Sequence, residues 1–301
     1  MHRHDVATVL LAALVSGSLS INLAAQDAAK GVALLAEARK AIGGEDRLRA
    51  VKALDVKGDF KRMAGQTTIE GELQVRIELP DKMRRDEDLS LPGGGPAIIR
   101  TEALNGTTVW DENSGGGGFF VRPGRGGDAG RGAPGGRANI DPAQLEEVQR
   151  RARQTELARF LLGWLLTVDG PVTWIATAEA PDGKADVLEV TPAAGPVLRV
   201  FLDQSSHMPL MITWQGPAPQ MVLAGRRGGR GNRGADADGP PAPRQAAPPA
   251  TLQVTLGDYK TVNGIRFPHL MTRGANDRTI EEWTIDSYRI NPSFRADVFT
   301  K

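Results

Sequence analysis

Residues 53–80 read ALDVKGDFKRMAGQTTIEGELQVRIELP and hold the clearest structural pattern in the chain. Apart from Arg62, every second residue is apolar or small in both halves of this stretch, which is typical of a β-strand with one buried face. The alternating positions are Leu54, Val56, Gly58, Phe60 and Arg62 in the first half and Ile69, Gly71, Leu73, Val75, Ile77 and Leu79 in the second. The stretch therefore predicts two adjacent strands at the start of a sheet.

Short runs of the same kind continue towards both ends of the chain. Asn105-Gly106 separates two of them, and this dipeptide is the strongest two-residue signal for a β-hairpin. The further strands that we predict are 83–89, 97–104, 107–112, 172–180, 185–191, 197–203, 209–216, 252–259, 264–273 and 279–290. Because connections this short cannot return a parallel strand, we expect an antiparallel meander.

Two segments have helical spacing instead. Residues 27–50 predict a helix that is interrupted at Gly43-Gly44 and resumes as a short turn. Asp141 as N-cap and Pro142 in the first turn predict the start of a second helix that runs to Leu166. Its last turns, Leu161–Leu166, are apolar on all sides, so they must be buried or must cover an apolar surface.

Two stretches rich in glycine and arginine, 115–138 and 225–249, interrupt the strand pattern. Segments 122–137 and 225–244 each hold three more arginines than aspartates, whereas the whole chain has a net charge of only +1. Both lack the apolar residues needed to fold, so we predict disordered loops. An Arg-Gly segment of this kind is a candidate for nucleic acid, for anionic lipid head groups or for a solvated loop without a ligand.

The N-terminus has the features of an export signal. Val6–Val15 matches the apolar core of a signal peptide and is too short to span a bilayer. Leu23-Ala24-Ala25 offers small residues for cleavage, with a buried or anchoring helix as the alternative interpretation. We predict a signal peptide over 1–25, a single mature domain over 26–301 and a periplasmic location, with no transmembrane segment after cleavage and no nucleic acid as partner.

No arrangement of catalytic or metal-binding residues stands out, and we predict neither an enzyme nor a cofactor or metal site. The chain has no cysteine, which excludes disulfides and thiolate ligands. His207 and His269 each lack a second ligand at metal spacing, and no nucleophile-elbow motif is present. Glu281-Glu282 is expected to place one carboxylate on each face of a strand. A hydrolase with unrecognised carboxylates stays open as a third hypothesis.

Large apolar side chains form the remaining candidate site. They are Trp110, Phe160, Leu161, Trp164, Leu165, Trp174, Phe201, Trp214 and Trp283. One interpretation is a single core in which the sheet packs on the helix. The other is a curved sheet that holds an apolar ligand, with the helix as plug or lid.

Both ends of the mature chain resemble a known family. The segments AEARKAIGG (36–44), VKALDVKG (51–58) and LGDYKTVNGIRFP (256–268), with Ile290-Asn291-Pro292 and the phenylalanines that follow, look like exported bacterial proteins of the LolA/LolB-like outer-membrane lipoprotein-sorting superfamily. The resemblance implies an α+β fold, an open antiparallel β half-barrel with helices over its concave face. In carrier members of the superfamily this fold holds lipoprotein acyl chains.

These features together predict a periplasmic, monomeric, non-enzymatic binding protein. Its expected ligand is a lipid or a lipidated partner such as a lipoprotein, held in an apolar cavity between sheet and helix. The alternative is an envelope interaction or sensor module that binds a protein partner through a sheet edge and the basic loops. The space between the sheet and helix 141–166 is the feature that distinguishes the two.

Overall fold

The computed structural model describes residues 12–65, 67–90, 98–114, 119–122, 142–180, 183–192, 195–217, 220–223 and 249–301. The helices are α1 (Ala12–Ile42), α2 (Glu45–Ala50) and α3 (Pro142–Leu165). The strands are β1 (Ala53–Ala64), β2 (Thr67–Glu78), β3 (Lys82–Ser90), β4 (Ile98–Asn105), β5 (Thr108–Ser114), β6 (Phe119–Arg122), β7 (Val172–Ala180), β8 (Gly183–Val190), β9 (Leu198–Asp203), β10 (Pro209–Pro217), β11 (Gln220–Leu223), β12 (Pro249–Val262), β13 (Ile265–Ala275) and β14 (Arg278–Ile290).

Twelve of these strands form one sheet in the order β5-β4-β3-β2-β1-β14-β13-β12-β10-β9-β8-β7. All of its pairs are antiparallel, and β5 and β7 lie at opposite edges, so the sheet is open. The two meanders are joined through β1 and β14, where Phe60 lies opposite Trp283. The antiparallel, open sheet with few helices that the sequence predicts is confirmed.

The predicted turns lie where the sequence places them. Asn105-Gly106 connects β4 to β5, and Gly106 has a positive φ of 62°. Gly43-Gly44 separates α1 from α2, and Gly44 has a φ of 92°, a conformation that L-residues with a side chain rarely adopt. Asp141, the predicted cap of α3, lies outside the described residues.

A second, small sheet pairs β6 with β11. β6 lies inside the first predicted loop, and its four residues include Phe119 and Phe120, so this loop contributes one strand that the sequence analysis did not predict. Most of 115–138 and 225–249 lies outside the described residues. Within the part of the chain that is described, no helix combines the length and the apolar character needed to cross a membrane.

Helix α3 ends in a strained turn that α1 supports. Leu166 has a φ of 50°, where glycine is usual, and the amide of Thr167 donates to the carbonyl of Leu161, as in a Schellman motif. The guanidinium of Arg39 on α1 donates twice to the carbonyl of Leu166, at 3.0 and 3.1 Å. The Leu166 side chain is fully buried, so its apolar packing offsets the cost of this backbone conformation.

Candidate functional site

One face of the sheet, here called the inner face, is the face that α3 contacts. The strand register defines it, because residues that pair across strands point to the same side. Arg62, Glu281 and Arg273 form one such row across β1, β14 and β13. Val254 and Ile212 extend the row over β12 and β10. A single row therefore passes from buried charges to aliphatic side chains.

The C-terminal half of α3 packs on aromatic residues of this face. Phe160 stacks on Trp164, one helical turn away, with ring centroids 4.6 Å apart. Trp164 meets Tyr288 edge to face at 5.8 Å, and Phe160 lies 5.7 Å from Trp283. The indole nitrogen of Trp164 lies 3.3 Å from the sulfur of Met271. Trp164 is completely buried, so the predicted packing of this helix on the sheet is a central part of the core.

The N-terminal half of α3 is held by buried ions instead. Arg153 donates to Glu102 on β4 at 2.7 Å and to Asp111 on β5 at 3.0 Å. Glu156, one turn later, accepts from Arg85 on β3, which also binds Glu102. These contacts connect the helix to three neighbouring strands.

The same network continues along the sheet. Arg62 joins Glu87 at 2.8 Å and Glu281 at 2.9 Å, and Glu281 also accepts from Arg273 at 3.3 Å and from the indole N–H of Trp283 at 2.6 Å. We call the whole set the ionic cluster. Its members are Arg62, Arg85, Arg100, Arg153 and Arg273 with Glu87, Glu102, Asp111, Glu156 and Glu281.

Three carboxylates of this cluster, Glu102, Glu156 and Glu281, are held in the charged form. Burial would raise the pKa of Glu102, but Arg85, Arg100 and Arg153 outweigh it and keep the pKa well below its usual range. Burial likewise opposes ionisation of Glu281, yet Arg62 and Arg273 lower its pKa to about 2. The pKa of Glu156 is lowered for the same reason, by Arg85 and Arg153.

We therefore expect acid to destabilise the fold. A carboxylate whose pKa is depressed on folding contributes stability above its unfolded pKa, and this stability is lost as the pH falls through the folded value. The melting temperature should accordingly be constant from pH 7 to about 5 and fall steadily from about pH 4.5 to 2. Differential scanning calorimetry over this range tests it. A melting temperature that stays constant down to pH 3 would contradict the charged, paired state of the cluster.

A cleft lies where the aromatic and ionic parts meet. Its walls come from α3, β10, β12, β13 and β14, and its enclosed volume is only about 20 Å³, room for about one water molecule. The lining residues are Glu156, Arg159, Phe160, Gly163, Ile212, Trp214, Val254, Leu256, Met271, Arg273 and Trp283. The wall is mostly apolar, with charged side chains on the helix and on β13.

The structure brings some of the predicted site residues to this cleft and not others. Phe160, Trp214 and Trp283 line it. Leu161, Trp164 and Leu165 are buried in the same helix.

The remaining three predicted aromatics lie elsewhere. The indole of Trp110 donates to the carbonyl of Phe299 in the C-terminal segment. Trp174 shares the inner face at the β7 edge, where the ammonium of Lys30 on α1 lies 3.3 Å from its ring. Phe201 pairs with Met211, which directly precedes Ile212 of the cleft. Because neighbouring residues of a strand point to opposite faces, Phe201 lies on the face opposite the cleft.

The two histidines among the described residues differ in environment. His269 is buried on β13, its Nδ1 lies 2.6 Å from the carbonyl of Ile285, and its Nε2 has no partner. His207 lies in the turn before β10 with a φ of 57°. Across the described ranges, no group of three or more His, Asp or Glu side chains is arranged to hold a metal ion.

The sequence analysis did not predict the ionic cluster, although its signal is visible in strand β3. In MRRDEDL (83–89) the alternate positions are Met83, Arg85, Glu87 and Leu89. Two charged side chains therefore point to the same face of the strand as two apolar ones. This alternation predicts that Arg85 and Glu87 lie on the buried face of the sheet with Met83 and Leu89. The prediction that Glu281 and Glu282 face opposite sides agrees with the burial of Glu281 and the partial exposure of Glu282.

Comparison with known proteins supplies structural neighbours only. No protein-family model matches the sequence, and no curated protein matches it significantly. A LolA superfamily protein from Nitrosomonas europaea is similar in structure, with a TM-score of 0.45 and 10% identity over 90% of this chain and 97% of that one. An outer membrane lipoprotein-sorting protein domain from Vibrio parahaemolyticus gives a TM-score of 0.42 and 13% identity over 91% and 97%.

A DUF1329 family protein from Desulfovibrio piger gives a TM-score of 0.43 and 8% identity, with 89% of this chain and 96% of that chain covered. A member of the superfamily that the ends of the sequence resemble, and a lipoprotein-sorting domain, are thus among the structural neighbours of this chain. Their TM-scores lie below 0.5, so a ligand for this chain has to be inferred from the cleft itself.

Proposed function

We propose that this chain is a periplasmic, non-enzymatic binding protein for a lipid or a lipidated partner, which enters the cleft between α3 and strands β10, β12 and β13. The proposal includes removal of residues 1–25 on export and a single, monomeric LolA-like domain over 26–301. The location and the cleavage are supported by the sequence of the N-terminus. The binding role is supported by the cleft.

The proposal also includes helices that cover a concave face of the sheet. In a flat sheet, β4 and β10, second and ninth in the strand order, would lie about 34 Å apart at about 4.8 Å per strand. Yet Arg153 of α3 binds Glu102 on β4, and Gly163 of the same helix faces Ile212 on β10. Ten helical residues span only about 15 Å. Contacts of one helix with both strands support a sheet that bends around α3.

The observation that carries the proposal is the gap at Gly163. A glycine inside a helix costs about 1 kcal/mol relative to alanine, and nothing in the helix geometry requires it here. A β-carbon added at Gly163 would lie 3.4 Å from Ile212 and 3.9 Å from Leu256, which is ordinary contact. The position thus has room for about one methyl group, and this small apolar space lies between helix and sheet.

The cleft in this structure is a closed state. An acyl chain needs far more than the present volume, so uptake requires the apolar turns of α3 around Phe160 and Trp164 to move away from β13 and β14. The ligand would then cover the apolar surface that these turns release, so that burial of apolar area by the ligand offsets the packing that the helix gives up. The ionic cluster would keep the N-terminal half of α3 on the sheet during this movement.

Filling the gap should block uptake. We expect the neutral fluorescent probe N-phenyl-1-naphthylamine to bind the delipidated protein saturably, and Gly163→Leu to weaken this binding at least tenfold, because the leucine occupies the opening. Gly163→Ala should weaken it less and raise the free energy of unfolding by about 0.5–1 kcal/mol. Fluorescence titration and urea unfolding measure the two effects.

The matched control is Ala152→Leu, which places the same leucine at an exposed position of the same helix. It should leave probe binding unchanged. Absence of probe binding to the wild-type protein would overturn the proposal, and so would equal binding by the wild-type protein and a folded Gly163→Leu variant.

One observation favours the alternative function, capture of a protein partner. Among the described residues, strand β5 lies at the edge of the sheet, pairs only with β4 and is largely exposed, so it offers free backbone groups to an added strand. Failure of probe uptake, together with capture of an envelope protein that is lost on deletion of 225–249, would favour this function over the lipid-binding one.

A further inference from the structure

Arg159 differs from the other arginines around the cleft. It is half-buried on α3, and its guanidinium lies 4.5 Å from the ring centroid of Trp214. Every arginine of the ionic cluster has a carboxylate within 4 Å. Among the described residues, Arg159 has neither a carboxylate at that distance nor a hydrogen-bond acceptor. It is a cation without a counterion beside an apolar wall.

The surrounding charges do not neutralise it. Glu156 is already bound by Arg85 and Arg153, and Glu281 by Arg62 and Arg273. Burial lowers the pKa of Arg159 to about 10, with Glu156 opposing this effect and Arg273 and Arg85 adding to it. The side chain is therefore charged at neutral pH and stands among like charges. An anion placed against it would be attracted, since charge pairing is strong where water is partly excluded.

The wall beside Arg159 is apolar. Trp214 lies under the guanidinium, and Ile212, Val254 and Leu256 continue the surface towards the gap at Gly163. The aliphatic side chains offer no hydrogen bonds, and Trp214 has only its indole N–H, far fewer groups than a sugar or a nucleotide base requires. A ligand that pairs with the Arg159 guanidinium and also covers the apolar wall must have a compact anionic group at one end and hydrocarbon at the other.

We propose that Arg159 is the head-group anchor of the cleft and that the ligand is a single-chain lipid with a terminal carboxylate or phosphate. This inference rests on the proposed function and names the class of ligand. The guanidinium fork binds the anionic oxygens in two parallel hydrogen bonds, as planar arginine does with carboxylate and phosphate. The hydrocarbon chain follows the wall from Trp214 towards Leu256 under the displaced turns of α3.

The test compares a fluorescent fatty acid, which carries a carboxylate, with its uncharged methyl ester. We expect cis-parinaric acid to bind the delipidated protein at least tenfold more tightly than its methyl ester. Arg159→Gln should abolish this preference by weakening the acid and leaving the ester unchanged. Arg151→Gln, a change at an exposed arginine of the same helix, should preserve the preference. Displacement of the probe by dodecanoate and by dodecyl phosphate then identifies the preferred head group.

The outcomes separate this inference from the proposed function. Equal binding of acid and ester by the wild-type protein would overturn the anchor and leave an apolar binding site. A preference that survives Arg159→Gln, in a variant with unchanged circular dichroism, would assign the anchor to another cation and also overturn the inference. Binding of neither probe would overturn both proposals together.

Discussion

Trp164→Ala should lower the free energy of unfolding by about 3–5 kcal/mol, the range for a large aromatic side chain removed from a core. Trp164 is fully buried, stacks on Phe160 and meets Tyr288 edge to face. Its removal loses the transfer free energy of the indole and leaves a cavity, because the sheet strands on the other side cannot collapse into the space. Urea unfolding followed by circular dichroism measures the loss.

Two comparisons make this result specific. Trp164→Phe keeps an aromatic ring in the stack and should lose clearly less stability than the alanine variant. Added indole should raise the melting temperature of the alanine variant, since an apolar cavity of matching shape binds the missing ring, and should leave the wild-type protein unchanged. A loss below about 1 kcal/mol for the alanine variant would show that the apolar turns of α3 do not rest on the sheet in solution.

Most of the fold follows from local sequence signals. The alternation over 53–80 predicts β1 and β2, and Asn105-Gly106 predicts the β4–β5 hairpin, because each signal is complete within a few residues. Helix α3 is predicted in the same way from Pro142 and from the apolar run up to Leu166. The joining of β1 to β14 was not predicted, since no local pattern connects strands more than 200 residues apart.

The candidate site is less predictable because it depends on register across strands. Trp110, Trp174 and Phe201 were selected for their size, yet their positions depend on pairings that a single strand does not specify. Arg159 was not selected, because an arginine on a charged helix is usually solvated. Only the packing of α3 shows that it lies over Trp214 and that the neighbouring carboxylates are already bound.

The ionic cluster raises the question of what it contributes. Buried ion pairs often add little net stability, because the free energy of desolvation offsets their attraction. Replacing only one partner of a buried pair nevertheless lowers the free energy of unfolding strongly, because the other charge is left buried and unpaired. The cluster fixes which turn of α3 faces which strand, since Arg153 and Glu156 have partners on β3, β4 and β5. An apolar contact would allow the helix to slide, whereas paired charges hold one position.

Arg85→Met should therefore be strongly destabilising, by about 3–5 kcal/mol. Arg85 is buried and pairs with Glu87 on β3, Glu102 on β4 and Glu156 on α3, so its loss leaves three buried carboxylates with fewer cations. Hydrogen exchange should accelerate in 142–160 more than in β12 and β13, because the N-terminal half of α3 loses its attachment. Urea unfolding and exchange mass spectrometry measure the two effects.

Partial rescue would identify charge as the cause. Arg85→Met combined with Glu156→Gln should recover part of the loss, because the second change removes one unpaired carboxylate, and the coupling between the two sites should exceed 1 kcal/mol, as is typical of residues in one network. The loss should also shrink below about pH 4, where the freed carboxylates can protonate. Arg295→Met, which breaks an exposed pair with Asp297, should change stability by less than about 0.5 kcal/mol. If the two arginine variants lose equal stability, the cluster does not hold α3 to the sheet.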